Sequence, residues 1–204
     1  MNLYEELLKR FADALIATQI NNVDKTLNGG FLCRCCKNIH GRSIDAIYAL
    51  GICYKKYKDE KYLNALIKLF EYSDNVLCTD GGLYNDLQTE WRFTTTFFEI
   101  ALVETYNSCK DVLPSELINK MKDRIAIHAK WLYDNLDECS AANINYCTTN
   151  ALSLLLAGTV LNNNQYIERA FRLARYALNH ISKNNLFYGE WQPQDKKSSH
   201  GCYG

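Results

Sequence analysis

Two kinds of apolar segment alternate along the chain. Segments of the first kind are amphipathic with a helical period, apolar on one side and charged on the other, and they cover residues 3–18, 60–75, 117–132 and 164–182. Segments of the second kind are apolar almost all round and cover residues 44–54, 97–106 and 151–161. A helix without a polar face has to be buried on every side. The alternation therefore predicts a half-exposed outer layer of helices and a buried inner layer.

The alternation also repeats. Corners led by glycine or asparagine occur at residues 28–32, 80–84 and 184–188, and the step from Gly30 to Gly82 is 52 residues. The step between two similar helix starts, from Tyr62 to Tyr166, is 104 residues, or twice as long. A further corner is expected near residue 134.

These signals predict an all-α fold, an incomplete α/α-toroid of about four helical hairpins. We expect one domain over residues 1–204, truncated at its C-terminal end. The last corner runs on to Gly204, which is where a fourth inner helix should begin. The alternative is an open helical solenoid of the TPR or HEAT kind, whose units are usually shorter and whose layers differ less in polarity.

Charge and composition limit the expected partners and location of the chain. Lys and Arg total 23 and Asp and Glu total 23, so the balanced charge gives no reason to expect nucleic acid or an anionic membrane as partner. The longest strongly apolar run, residues 151–161, is too short to span a bilayer. The first residues do not resemble a signal peptide, and the nine scattered cysteines are typical of reduced thiols. The expected location is the cytoplasm.

Four short stretches resemble the helical-toroid domains of heparinase II/III-like and alginate-lyase-like proteins. They are residues 41–46, 91–96, 144–152 and 187–193. The resemblance implies a carbohydrate-active enzyme, lyase-like, that acts on an oligo- or polysaccharide containing uronate and needs no cofactor. In these lyases an Asn neutralises the uronate carboxylate while Tyr and His move protons. More distantly, the chain resembles unsaturated glucuronyl hydrolases. The β-sandwich that often follows such a toroid and usually supplies a catalytic His is not found in these residues.

The catalytic candidates lie in polar gaps that precede the inner helices. The gaps cover residues 33–43, 86–95 and 143–149 and should lie at one end of the inner layer. Asn145 and Tyr146 are expected just before an inner helix that starts near Thr148. There Asn145 would neutralise the carboxylate, and Tyr146 and His40 would transfer protons. The alternative is structural: Asn145 caps a helix or turn, Tyr146 packs, and His40 is exposed to water.

Further residues in these gaps are candidates for substrate binding. Arg42 could bind a carboxylate with its forked guanidinium, or instead pair with Asp45. Trp91 could stack on a sugar face or belong to the core. The full set of binding candidates is Arg42, Asp86, Trp91, Arg92, Asn150, Glu190 and Trp191.

Two other functions stay open at this point. One is a glycoside hydrolase that uses Asp86 and Glu190 as its pair of carboxylates. The other is a helical scaffold or an inactive toroid fragment without catalysis. In either case the open edge of an incomplete toroid would expose an inner face, which predicts self-association.

A cysteine-rich loop also raises the question of a metal. Cys33, Cys35, Cys36 and His40 lie close together in the sequence. Structural zinc sites usually combine a Cys-x2-Cys pair with a second pair downstream, and the Cys-x-Cys-Cys run departs from that pattern. The sequence therefore predicts no metal site, and it does not favour a catalytic Cys–His pair.

Overall fold

The computed structural model describes residues 3–21, 26–85, 92–138, 140 and 144–181. Regular structure in these ranges is helical. The α-helices are α1 (Leu3–Ile16), α2 (Ile47–Tyr57), α3 (Glu60–Tyr72), α4 (Thr94–Cys109), α5 (Ser115–Asn135), α6 (Ile144–Leu161) and α7 (Asn164–Leu178). Two 3-10 helices, Gly41–Ala46 and Ser73–Val76, complete the set for the described ranges. The β-bridges in these ranges are isolated, such as the antiparallel bridge between Leu32 and Ile39. The predicted all-α class is confirmed.

The helices alternate in polarity as the sequence predicts. Helices α1, α3 and α7 each have a marked apolar face and a charged face. Helices α2, α4 and α6 have apolar residues around most of their circumference. The odd-numbered helices therefore have the character of an outer layer, and α2, α4 and α6 that of an inner layer.

Two glycine corners repeat the same backbone geometry. Gly29 has a φ of 91° and Gly81 a φ of 98°, and they are separated by the predicted step of 52 residues. Only glycine adopts such angles without strain, which explains why each corner carries it. At Gly29 a side chain is also excluded by space, because an added Cβ would lie 2.0 Å from the carbonyl oxygen of Lys68.

Two helix starts are similarly alike. Before α3 and before α7 the chain passes through a left-handed residue, Lys58 with a φ of 54° and Asn162 with a φ of 53°. An N-cap follows at once: the side chain of Asp59 accepts a hydrogen bond from the backbone N–H of Lys61, and Asn163 caps α7 in the same way. These paired starts lie 104 residues apart, as the sequence predicts.

The described chain divides into two compact units, and the division falls within α5. In the first unit, residues 1–125, α2 packs against both α3 and α4. The core there consists of fully buried side chains, among them Ile47, Leu50, Leu66, Phe98 and Leu102. The hydroxyl of Tyr62 on α3 donates a hydrogen bond of 2.8 Å to Asp13, which ties α1 to this core.

In the second unit, residues 126–204, α6 packs along α7. Leu154 and Ala157 of α6 are buried, as are Leu173 and Ala177 of α7. By length and composition alone α6 could cross a membrane, but half of it is buried inside the structure, as in the core helix of a folded domain. We therefore interpret α6 as an inner-layer helix.

Apolar side chains remain exposed on two outer helices. On α1 they are Leu3, Tyr4, Leu7 and Phe11, and on α7 they are Phe171 and Leu178. The self-association expected from an exposed inner face at the open edge of the toroid stays a prediction.

Candidate functional site

Buried polar atoms without a partner collect near the starts of the inner helices. Among the described residues, side-chain oxygens of this kind belong to Ser43, Asp45, Asn85, Thr94, Glu99, Asn145 and Asn150. All of them lie in the 3-10 helix before α2, in the segment before α4, or in the first two turns of α4 and α6. An unsatisfied buried oxygen costs roughly 1–3 kcal/mol, a cost that a bound hydroxyl or water can offset. The polar gaps predicted from the sequence are therefore where the fold leaves hydrogen-bonding capacity unused.

In the first unit, Arg42 projects from the 3-10 helix over α4. Its guanidinium carbon lies 4.0 Å from the centre of the Phe97 ring, and its Nε is 3.6 Å from Oδ2 of Asp45. The Arg42 side chain is 56% exposed, so the guanidinium is held in place while it still faces solvent. Burial raises the pKa of Asp45 to about 7, against the opposing effect of Arg42. The pairing of Arg42 with Asp45 is therefore seen in the structure, and binding of a carboxylate by Arg42 stays a prediction.

Arg92 is more fully engaged. Its guanidinium forms an ion pair with Asp80 in the second glycine corner and lies 5.3 Å from the centre of the Tyr84 ring. Thr95 joins the same corner to the start of α4, because its hydroxyl accepts from the N–H of Leu83 and donates to the carbonyl of Arg92. Arg92 and Thr95 therefore both hold the second glycine corner against the start of α4.

His40 contacts cysteine. Its Nε2 lies 3.0 Å from Sγ of Cys36, and both groups are within 4.8 Å of Sγ of Cys33. The backbone N–H groups of Cys36 and Cys35 lower the pKa of the Cys33 thiol to about 7. The structure therefore places His40 beside two cysteines, Cys33 and Cys36. From the sequence, His40 is expected to transfer protons from a polar loop, and that role stays a prediction.

In the second unit, the predicted position of Asn145 and Tyr146 is wrong. They were expected in a loop before a helix that starts near Thr148, but α6 already begins at Ile144 and includes both. The reason is local: the hydroxyls of Thr148 and Thr149 bond back to the carbonyls of Asn145 and Tyr146, at 2.8 and 3.2 Å. Hydroxyls satisfied in this way let a polar stretch form the first turn of a helix.

Asn145 nevertheless keeps an available amide. Its Oδ1 is buried and has no partner among the described residues. Tyr146 is only 6% exposed, so most of its ring packs inside the second unit. Asn150, one turn further along α6, donates to the carbonyl of Leu136 at 3.2 Å, while its own Oδ1 stays without a described partner. Two amide oxygens on one helix are thus left to be satisfied.

Some candidates lie outside the described residues: Asp86, Trp91, Glu190 and Trp191. Both members of the possible hydrolase pair, Asp86 and Glu190, are among them.

One buried acid was missed by the sequence reasoning. Glu99 on α4 is fully buried, and neither of its carboxyl oxygens has a partner among the described residues. Burial raises the pKa of Glu99 well above its ordinary value, because removal from water disfavours the charged carboxylate. The available signal is an acidic residue at position 99 with apolar residues on both sides of it in the sequence.

With this geometry described, the chain can be compared with known proteins. Residues 8–204 match the family model described as the ulvan lyase N-terminal domain. The chain belongs to the ulvan lyase N-terminal domain family. This confirms the expected relation to polysaccharide lyases, at the level of that family.

A curated relative supports the family assignment. The chain is 31% identical over 208 residues to the broad-specificity ulvan lyase of Formosa agariphila, and the match covers 100% of the chain but 32% of that enzyme. The chain thus spans about a third of the length of this relative.

A solved structure, described as polysaccharide lyase BACCELL_00875, shares the fold. It is 14% identical to the chain with a TM-score of 0.64, over 80% of the chain and 54% of that protein. At this identity the likeness shows the fold alone. It supports the toroid-like class predicted for this ulvan lyase N-terminal domain.

Proposed function

We propose that this ulvan lyase N-terminal domain belongs to an enzyme that cleaves a uronate-containing polysaccharide, such as ulvan, by β-elimination. The observation that carries the proposal is the buried, unpartnered amide oxygen of Asn145 at the start of an inner helix. Membership of the family and the name of the Formosa relative support the substrate class.

The chemistry explains why an amide suits this position. In β-elimination a base removes the proton on C5 of the uronate, the C4–O bond breaks with its electron pair, and a C4–C5 double bond forms. The proton on C5 becomes acidic enough only if charge on the neighbouring carboxylate is neutralised, which fixed neutral donors can do. We assign this task to Asn145, whose Nδ2 would donate to the carboxylate.

Tyr146 is our candidate for proton transfer, by way of its hydroxyl. It follows Asn145 in the first turn of α6, and a tyrosine hydroxyl can act as base or as acid toward the leaving oxygen. This arrangement would extend the likeness to heparinase II/III-like and alginate-lyase-like enzymes. In the first unit, Arg42 is a separate candidate for binding a uronate carboxylate, because it is stacked on Phe97 and 56% exposed.

Matched amide variants test the role of Asn145. In recombinant protein that contains this chain, we expect Asn145→Ala to lower kcat on ulvan by roughly 100-fold or more, as loss of one donor to a developing charge does. Asn64 on α3 is exposed, and Asn64→Ala makes the same chemical change away from the site. Equal activity of both variants, measured from the ultraviolet absorbance of the unsaturated product, would remove Asn145 from the mechanism.

A phenylalanine pair tests Tyr146 in the same assay. Tyr146→Phe removes only the hydroxyl and should lower kcat much more than KM. Tyr48 on α2 is 38% exposed, so Tyr48→Phe should leave both constants unchanged. A fully active Tyr146→Phe enzyme would mean that Tyr146 only packs.

A further inference from the structure

The loop before the first inner helix brings three metal-binding side chains together. It runs between the bridged residues Leu32 and Ile39 and leads through His40 into the 3-10 helix. Cys33 and Cys36 form a Cys-x2-Cys pair when Cys35 is set aside, and His40 follows four residues after the second cysteine. Because Cys35 lies between them, the Cys-x2-Cys spacing of Cys33 and Cys36 is not obvious in the sequence.

The ligand atoms are close enough for one ion. Sγ of Cys33, Sγ of Cys36 and the ring nitrogen of His40 all lie within 4.8 Å of one another, and the Cys36–His40 pair is at 3.0 Å. Ligand atoms around tetrahedral zinc, with bonds of about 2.0–2.3 Å, are separated by roughly 3.5–3.8 Å. The 3.0 Å separation of Cys36 and His40 is somewhat shorter than that value, and the 4.8 Å limit on the other pairs is somewhat longer.

The backbone around Cys33 has the form of a zinc knuckle. The N–H groups of Cys35 and Cys36 both point at the sulfur of Cys33, and the N–H of Lys37 donates to its carbonyl at 3.0 Å. Lys37 itself has a φ of 60°, a left-handed angle that a lysine adopts at some cost. A turn that directs N–H groups at one sulfur stabilises a metal thiolate, and the left-handed residue after the second cysteine closes it. The geometry of this turn is a second observation in favour of a metal site, in addition to the spacing of the cysteines in the sequence.

We propose that Cys33, Cys36 and His40 bind a divalent, thiophilic metal ion, with zinc as the best fit. Two thiolates and an imidazole are soft and borderline ligands, which favour Zn²⁺ over Mg²⁺ or Ca²⁺. The described residues supply three ligands, so a fourth position is left for water or another group. This proposal stands independently of the lyase activity.

The ion would fix the loop that positions Arg42. On the far side of His40, the N–H of Gly41 donates to the carbonyl of Asn85 at 2.7 Å, which anchors the loop to the second corner. A metal at the cysteines would anchor the other end. His40 would then act as a ligand, and a role for it as a proton carrier in elimination would be excluded while the metal is bound.

The test is the metal content of the recombinant chain. Protein made in zinc-supplemented medium and purified under reducing conditions without chelator should contain one zinc per chain by elemental mass spectrometry. Replacement by Co²⁺ should give the visible bands of a tetrahedral site together with thiolate-to-cobalt charge transfer. Cys33→Ser, Cys36→Ser and His40→Ala should each lose bound metal, with folding checked by circular dichroism.

Cys35 supplies the matched control. It is an exposed cysteine in the same loop but outside the group of three, so Cys35→Ser should keep the full metal content. Two results would overturn the proposal: wild-type protein without stoichiometric metal under these conditions, or equal metal loss in Cys35→Ser and Cys36→Ser. A disulfide between Cys33 and Cys36 in the reduced preparation would likewise replace the metal site with a redox pair. None of these readouts depends on ulvan cleavage.

Discussion

Gly41 should be among the most sensitive positions of the loop. Its backbone passes so close to the second corner that an added Cβ would lie 2.0 Å from the carbonyl oxygen of Tyr84 and 3.2 Å from Cα of Asn85. Both obstacles are backbone atoms and cannot rotate away. Gly41→Ala therefore has to separate the two loops and lose the 2.7 Å hydrogen bond from Gly41 to Asn85.

The cost can be approximated from these contacts. Forcing a methyl group into a packed site costs about 1–3 kcal/mol, and leaving a buried backbone group unpaired costs a further 1–3 kcal/mol or so. We expect Gly41→Ala to lower the free energy of unfolding by roughly 2–6 kcal/mol, measured by urea denaturation. Because the loop precedes Arg42, the variant should also weaken substrate binding.

Gly51 on α2 is the matched control. An added Cβ there would meet only side-chain atoms, the nearest being Cγ2 of Thr105 at 3.1 Å, and alanine is favoured over glycine inside a helix by about 1 kcal/mol. Gly51→Ala should therefore change the free energy of unfolding by no more than about 1 kcal/mol. If Gly41→Ala were as stable as the wild type, or less damaging than Gly51→Ala, the close approach of the two loops would be refuted.

Two further predictions concern stability. Because the pKa of Glu99 is raised in the folded state, the unfolded chain loses the Glu99 proton at a lower pH than the native chain does. Between the unfolded and folded pKa values, the free energy of unfolding should therefore fall as pH rises, by up to about 1.4 kcal/mol per pH unit. Glu99→Gln should make this slope shallower in melting curves recorded from acid to neutral pH and leave the part that comes from Asp45, whose pKa burial also raises. An unchanged slope would show that Glu99 does not contribute. Asp59→Ala and Asn163→Ala should each lower the free energy of unfolding by about 1 kcal/mol in urea titrations, because each removes an N-cap. The exposed mid-helix change Asn64→Ala should cost nothing, and equal losses in all three variants would argue against the capping explanation.

Much of the fold could be predicted because its causes are periodic. The alternation of amphipathic and wholly apolar segments reflects burial on one side or on all sides, and the steps of 52 and 104 residues reflect repeated corners and caps. Each corner depends on a local backbone angle that only a few residues adopt, so it leaves a visible mark in the sequence.

Features of the site that depend on three-dimensional proximity were harder to predict. The start of α6 was placed too late because a polar stretch looks like a loop until the Thr148 and Thr149 hydroxyls are seen to bond to the helix backbone. Arg42 stacks on Phe97, which is far away in the sequence, and Glu99 was hidden in an apolar run. The cysteine loop could be recognised only once its turn had brought the sulfurs and His40 together.

The most direct test of the central claim is the chemical nature of the products formed from ulvan. β-Elimination breaks the C4–O bond without adding water, so the fragment masses should sum to the mass of the parent chain, and each new non-reducing end should carry an unsaturated uronate. Hydrolysis adds one water at each cut and leaves saturated ends. Mass spectrometry of the digest made by recombinant protein containing this chain distinguishes the two. We predict unsaturated ends, and saturated ends with one added water per cut would contradict the account.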